Sequence, residues 1–132
     1  MHPLFTHRLE VRFRDCDPLG HVNNAVYLTY LEQARFALWR TLWGFPEASV
    51  KDVIMARSEV DYKIPARYGD QLEIRLFLAR IGRTSFTYSY ELVDDAGRIV
   101  AAATTVQVMY DYKTEKPVPI SDEIRAKLEQ QV

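Results

Sequence analysis

At 132 residues, with 48% hydrophobic and 27% charged side chains, the chain can enclose one cored domain and is neither disordered nor collagen-like. A net charge of −1 supplies no basic surface for phosphate backbones, so no nucleic-acid partner is expected. The lone cysteine forms no internal disulfide, Met1 to Arg8 lack an apolar leader core, and no run reaches membrane-spanning length. A cytoplasmic protein without a membrane span, folded as one domain over residues 1–132, is therefore expected.

Leu9, Val11 and Phe13 alternate with Glu10, Arg12 and Arg14, a period of two that predicts a half-buried strand. Asp15 to Gly20 is rich in turn formers, and Pro18 and Gly20 stop a strand or a helix from running through. Asn23 and Asn24 then read as N-caps of a helix that continues to about Trp43, with Gly44 and Pro46 as stop signals. At helical spacing Tyr27, Leu31, Ala34, Leu38 and Leu42 form one apolar stripe, which Leu28, Phe36, Trp39 and Trp43 broaden. Thr29, Gln33 and Arg40 form the polar arc, and Glu32 and Arg35 are spaced to pair. So apolar a helix is expected to be wrapped by a sheet or shared with a second subunit.

The remainder is strand-like. Val60, Tyr62 and Ile64 alternate with charged residues until Pro65 to Asp70 break the run. Leu72, Ile74, Leu76 and Leu78 predict a strand, as do Phe86, Tyr88, Tyr90 and Leu92. Asp94-Asp95-Ala96-Gly97 is a hairpin turn, and Ile99 to Tyr112 predicts a strand covered on both faces. Ser121 caps a short final helix with Ile124 and Leu128 inward. Strands in succession with hairpin-length links predict an antiparallel sheet with the long helix on one face, an α+β architecture.

The densest chemistry lies where the first strand gives way to the helix. Asp17 suits a nucleophile towards an acyl carbon or a general base for water; equally, an aspartate before proline often bonds only its own loop. The free N–H groups and dipole at the helix start, Asn24 to Tyr27, suit a developing oxyanion, although both asparagine side chains read more simply as caps. Asp15 shares a side with Asp17 if the backbone stays extended, which would raise one carboxyl pKa. Asp15, Asp17 and His21 make a generic metal set with no second cluster behind it, so no metal is expected. His21 can orient water, touch substrate or bond locally. Cys16, flanked by two acids, is a packing residue and not a nucleophile. Arg80, Arg83, Thr84 and Ser85 offer charge and hydroxyls to a phosphate, or form a solvated hairpin tip.

Asp15-Cys16-Asp17-Pro18-Leu19-Gly20-His21-Val22-Asn23-Asn24, followed by Tyr27-Leu28-Thr29-Tyr30-Leu31-Glu32-Gln33-Ala34-Arg35, resembles the hotdog-fold acyl-CoA thioesterases of the 4-hydroxybenzoyl-CoA thioesterase type. The resemblance implies a central helix wrapped by an antiparallel sheet. It implies homo-oligomers, dimers or dimers of dimers, with active sites between subunits. It also implies hydrolysis of an acyl-CoA to free acid and coenzyme A without a cofactor. Asp17 would attack the thioester or activate water, and the Asn24 N–H would polarise its carbonyl. His21 would support, Tyr27 would line the substrate site, and Arg80 to Ser85 would approach the phosphates of coenzyme A. The His21-Val22-Asn23-Asn24 form is more similar to the broad acyl-CoA thioesterases than to the 4-hydroxybenzoyl-specific ones. Two other readings stand beside it: a 3-hydroxyacyl thioester dehydratase and a non-catalytic acyl-CoA-binding protein.

Overall fold

The computed structural model describes residues 2–43 and 52–130, the side chains of Leu42 and Trp43 excepted. The expected stop at Gly44 and Pro46, and the Leu42 and Trp43 ends of the apolar stripe, lie outside the described residues.

Strand β1 (Phe5–Glu10) is followed by the long helix α1 (Val26–Trp43) and strands β2 (Val53–Tyr62), β3 (Gln71–Ile81), β4 (Ser85–Val93) and β5 (Ile99–Asp111). A two-residue strand β6 (Lys116–Pro117) and helix α2 (Asp122–Glu129) close the chain. The sheet order is β1-β3-β4-β5-β2, antiparallel throughout, with β6 paired to β5. Gly97, at φ 79°, adopts the left-handed conformation that the β4–β5 turn requires, and its N–H donates to the Asp94 carbonyl (3.0 Å). Ser121 caps α2, its hydroxyl accepting from the Ile124 N–H (3.2 Å).

One face of the sheet is buried. Leu72, Ile74 and Leu76 of β3, Phe86, Tyr88, Tyr90 and Leu92 of β4, and Ala101, Ala103 and Met109 of β5 share a core with Tyr27, Tyr30, Leu31, Ala34, Leu38 and Trp39 of α1. Each large side chain enclosed there is worth roughly 1.5–3 kcal/mol. The helix is thus held in a wrap of antiparallel strands, the hotdog arrangement. The stripe is as expected from Tyr27 to Leu38, but Leu28 is exposed and Tyr30, unassigned by periodicity, is buried. From Ala101 to Met109 β5 is buried on its inner face only; Ala102, Thr104, Val106 and Val108 are half-exposed outside.

Glu32 and Arg35 do not pair. Glu32 stays in solvent, whereas Arg35 is buried and donates to the Tyr90 hydroxyl (3.2 Å). Thr105 gives its proton to Gln107 Oε1, so Tyr90 is the donor to Thr105 Oγ1 (2.6 Å). Gln107 Nε2 ends the chain on the Phe86 carbonyl (3.0 Å). Burial pushes the Tyr88 and Tyr90 pKa values up, so both phenols remain neutral partners.

β2 begins earlier than its alternation suggested and forms one edge of the sheet. Among the described residues it pairs only with β5, and eight of its ten residues are exposed. No helix among the described residues is long and apolar enough to cross a membrane.

Candidate active site

The strand expected to reach Arg14 stops at Glu10, because Phe13–Asp15 forms a 3-10 turn. Val11 is still tied to the β2–β3 connection: its N–H donates to Asp70 O (2.8 Å), and its carbonyl accepts from the Gly69 N–H (3.0 Å). Asp15 closes the turn from inside. Its carboxylate accepts from the Arg12 backbone N–H (3.0 Å), from Arg12 Nη2 (2.9 Å) and from the Tyr30 hydroxyl (2.8 Å). Burial pushes its pKa up, but the bonds from Arg12 and Tyr30 outweigh that and leave it lowered. The expectation that Asp15 and Asp17 face one way is therefore overturned. The tight turn between β1 and Asp17 ends the extended backbone on which that alternation depended.

Past Asp15 the chain doubles back. Cys16 bridges to Val22, and the Asp17 N–H donates to the His21 carbonyl (3.0 Å). The Gly20 N–H donates to the Asp17 carbonyl (3.0 Å), and Gly20, at φ 88°, takes the left-handed position of this loop without strain. The Leu19 N–H holds Asp17 Oδ1 at 2.9 Å; among the described residues Oδ2 meets no donor. Cys16 is partly buried against the core, as a packing residue.

The helix start is pinned next. The Asn23 N–H donates to the Asp15 carbonyl (3.0 Å), the Val26 N–H to the Asn23 carbonyl (2.9 Å) and the Ala25 N–H to Asn23 Oδ1 (2.9 Å). Asn23 is thus the capping side chain, whereas the exposed Asn24 side chain caps nothing among the described residues. The Asn24 backbone N–H has no acceptor there either, leaving a free donor ahead of the first turn of α1. The Asn24 carbonyl accepts from the Tyr62 hydroxyl across the groove (3.0 Å).

These residues line a cleft of about 420 Å³ formed by Asp17, His21, Val22, Asn24 and Tyr27 on one side and Tyr62, Lys63, Ile64 and Pro65 on the other. That size suits a small molecule or an extended arm of one. His21 is half-buried, with Nδ1 3.4 Å from the Val22 carbonyl. Tyr27 is buried, its hydroxyl accepting the Ala66 N–H (3.4 Å) and its pKa pushed up by burial. Among the described residues, an aspartate with one unbonded carboxylate oxygen, an asparagine with an unbonded backbone N–H at a helix start and an apolar wall thus line one opening.

The chain matches the thioesterase-like superfamily over residues 11–128. It belongs to that superfamily. It is 30% identical over 128 residues to the long-chain acyl-CoA thioesterase FadM of Escherichia coli K12, covering 95% of this chain and 97% of the relative. It is 26% identical over 130 residues to the acyl-CoA thioester hydrolase YbgC of Escherichia coli O6:H1, covering 96% and 97%. A thioesterase of Thermus thermophilus, solved in complex with coenzyme A and Zn, superposes with a TM-score of 0.87 at 32% identity, covering 98% of this chain and 94% of that one. The chain is therefore a thioesterase with the hotdog fold, and the cleft lies at the motif that the resemblance rests on.

Not every expected residue of the thioesterase reaches that cleft. Asp17, His21, Asn24 and Tyr27 line it; Arg80, Arg83, Thr84 and Ser85 occupy the β3–β4 hairpin at the other end of the sheet. β3 has 11 residues, so the two ends lie on the order of 30 Å apart within one chain. The hairpin backbone is anchored under the C-terminal segment: the Arg83 carbonyl accepts from the Ile120 N–H (2.9 Å) and the Gly82 carbonyl from Arg125 Nη2 (2.8 Å). The metal set dissolves because Asp15 turns into the core, and no group of three His, Cys, Asp or Glu among the described residues is placed to hold a metal ion.

Tyr62, Lys63, Ile64 and Pro65 are cleft residues that the motif did not reveal. Pro65 marked the end of a strand, but only sheet order brings that strand end beside the start of α1.

Proposed function

We propose that the cleft hydrolyses an acyl-CoA, with Asp17 supplying the attacking or activating oxygen and the Asn24 N–H polarising the thioester carbonyl. The observation that carries this reading is the coexistence of two unbonded groups in one opening, the Asp17 Oδ2 atom and the Asn24 N–H, counted among the described residues. An oxyanion forming beside that N–H also gains from the positive end of the α1 dipole, and it forms only as the carbonyl is attacked. Water enters across the C–S bond, the acid leaves on one side and the coenzyme A thiol on the other. Asp17 performs this either by direct attack, giving an anhydride that water opens, or by taking the proton of the attacking water. His21, half-buried at the cleft, helps place that water. Tyr27 walls the acyl side.

A larger hollow of about 550 Å³ lies on the outer sheet face, but Glu59, Asp61 and Glu91 line it, and their charge disfavours a phosphate-rich ligand. The cations suited to coenzyme A phosphates are Arg80 and Arg83, helped by the hydroxyls of Thr84 and Ser85. They reach Asp17 in a homodimer paired antiparallel along the open edge of β2. A two-fold axis there reverses strand direction and sets one subunit's Asp17 end beside the partner's β3–β4 hairpin end. The half-exposed outer face of β5 supports stacking of two such dimers into a homotetramer. The partly buried, unpaired Cys16 accords with a cytoplasmic setting.

Thiol release across acyl-CoAs of graded chain length tests the activity. Thiol release also separates hydrolysis from the enoyl formation of a dehydratase and from binding without turnover. Mixed oligomers test the shared site: Asp17→Asn protomers combined with Arg80→Ala/Arg83→Ala protomers should regain turnover that neither variant shows alone. Full activity of the arginine variant by itself would remove those residues from the site.

A further inference from the structure

We infer that Tyr62 is a positioning residue for hydrolysis, its hydroxyl holding the Asn24–Ala25 peptide so that the preceding N–H stays aimed into the cleft. This rests on the reading of Asp17 and Asn24 given above. The Asn24 N–H lies in the Asn23–Asn24 peptide plane, and that plane is joined at the Asn24 Cα to the Asn24–Ala25 plane, so holding both fixes the direction of the N–H. The Asn23–Asn24 plane is held through its carbonyl by the Val26 N–H (2.9 Å). The Asn24–Ala25 plane is held at its N–H by Asn23 Oδ1 (2.9 Å) and at its carbonyl by Tyr62 Oη (3.0 Å).

The two asparagine contacts are local, within three residues. The Tyr62 bond spans 38 residues and is the hydrogen bond that ties Asn24 to the sheet among the described residues. Asn24 itself is exposed, so packing does not hold it. Tyr62 is held in turn by an edge-to-face contact with Tyr27, ring centroids 5.1 Å apart at 74°. Loss of the hydroxyl would release the carbonyl of the Asn24–Ala25 peptide, which adjoins the donor peptide at the Asn24 Cα, while leaving the ring in place. A loosened donor weakens transition-state binding more than ground-state binding, because its bond strengthens only as negative charge develops.

The test is steady-state thiol release by Tyr62→Phe with an acyl-CoA that the wild type hydrolyses, with Asp17→Asn measured beside it. The expected result is a kcat lowered about tenfold, a KM changed less than about twofold, and an unchanged melting temperature. Because Tyr62 is 51% exposed, the phenylalanine variant should fold as the wild type does. An unchanged kcat overturns the inference, as does a rise in KM alone, which would make Tyr62 a simple wall. A fall in melting temperature that tracks the lost activity also overturns it. If Asp17→Asn retains turnover, the catalytic reading fails first, and the two failures are distinguishable.

Discussion

Asp15 and Asp17 stand two residues apart in one loop and have opposite surroundings. Asp15 is 3% exposed and commits both carboxylate oxygens to Arg12 and Tyr30. Asp17 lines an open cleft with one oxygen held by a backbone N–H and the other without a donor among the described residues. A fully bonded carboxylate has no lone pair in reach of an electrophile and serves as a fastener. A half-bonded one, anchored through a single oxygen, is oriented and still reactive. On the proposed reading of Asp17, what separates a structural acid from a catalytic one here is the number of unused acceptors, since residue type and neighbourhood in the chain are shared.

Three substitutions or titrations break that comparison in order of size. Asp17→Asn should lower thiol release by at least about a thousandfold while leaving the melting temperature unchanged, because the carboxylate makes no contact that the core depends on. Asp15→Asn should act the other way: urea unfolding should show a loss of about 2–3 kcal/mol, from a buried acceptor set that no longer matches its donors. The third effect is a pH dependence. Asp15 has a folded pKa below its ordinary 3.8, so it contributes stability that is present above that value and lost as pH falls through the folded one. The stability gap between wild type and Asp15→Asn should stay constant near neutrality and narrow below about pH 3.8, read from urea midpoints across the acid range. Asp94 and Asp111, also lowered by backbone N–H bonds, are present in both proteins and do not enter the difference.

The fold was readable because its periods are clean. Leu72-Ile74-Leu76 and Phe86-Tyr88-Tyr90-Leu92 alternate over a sheet that is buried on one face, and Tyr27, Leu31, Ala34 and Leu38 keep helical spacing. The Asp17 to Tyr27 side of the cleft was readable because it is contiguous. Three things were not. Periodicity is silent about hydrogen bonding inside a loop, so the inward turn of Asp15 onto Arg12 and Tyr30 left no trace in the pattern. Strand order places Tyr62 to Pro65 across from Asn24, and that order depends on long-range pairing of β2 with β5. The edge strand β2 is exposed on most of its length, so Val53 to Ser58 lack the alternation that burial imposes elsewhere.

The difference between the two aspartates is measured most directly by pairing thiol release with urea unfolding for Asp17→Asn and Asp15→Asn, with activity expressed per folded molecule. The expected outcome is an Asp17→Asn protein of wild-type stability that releases essentially no thiol, and an Asp15→Asn protein of lowered stability whose folded fraction still turns over. Turnover retained by Asp17→Asn and abolished in fully folded Asp15→Asn would reverse the assignment of the two residues.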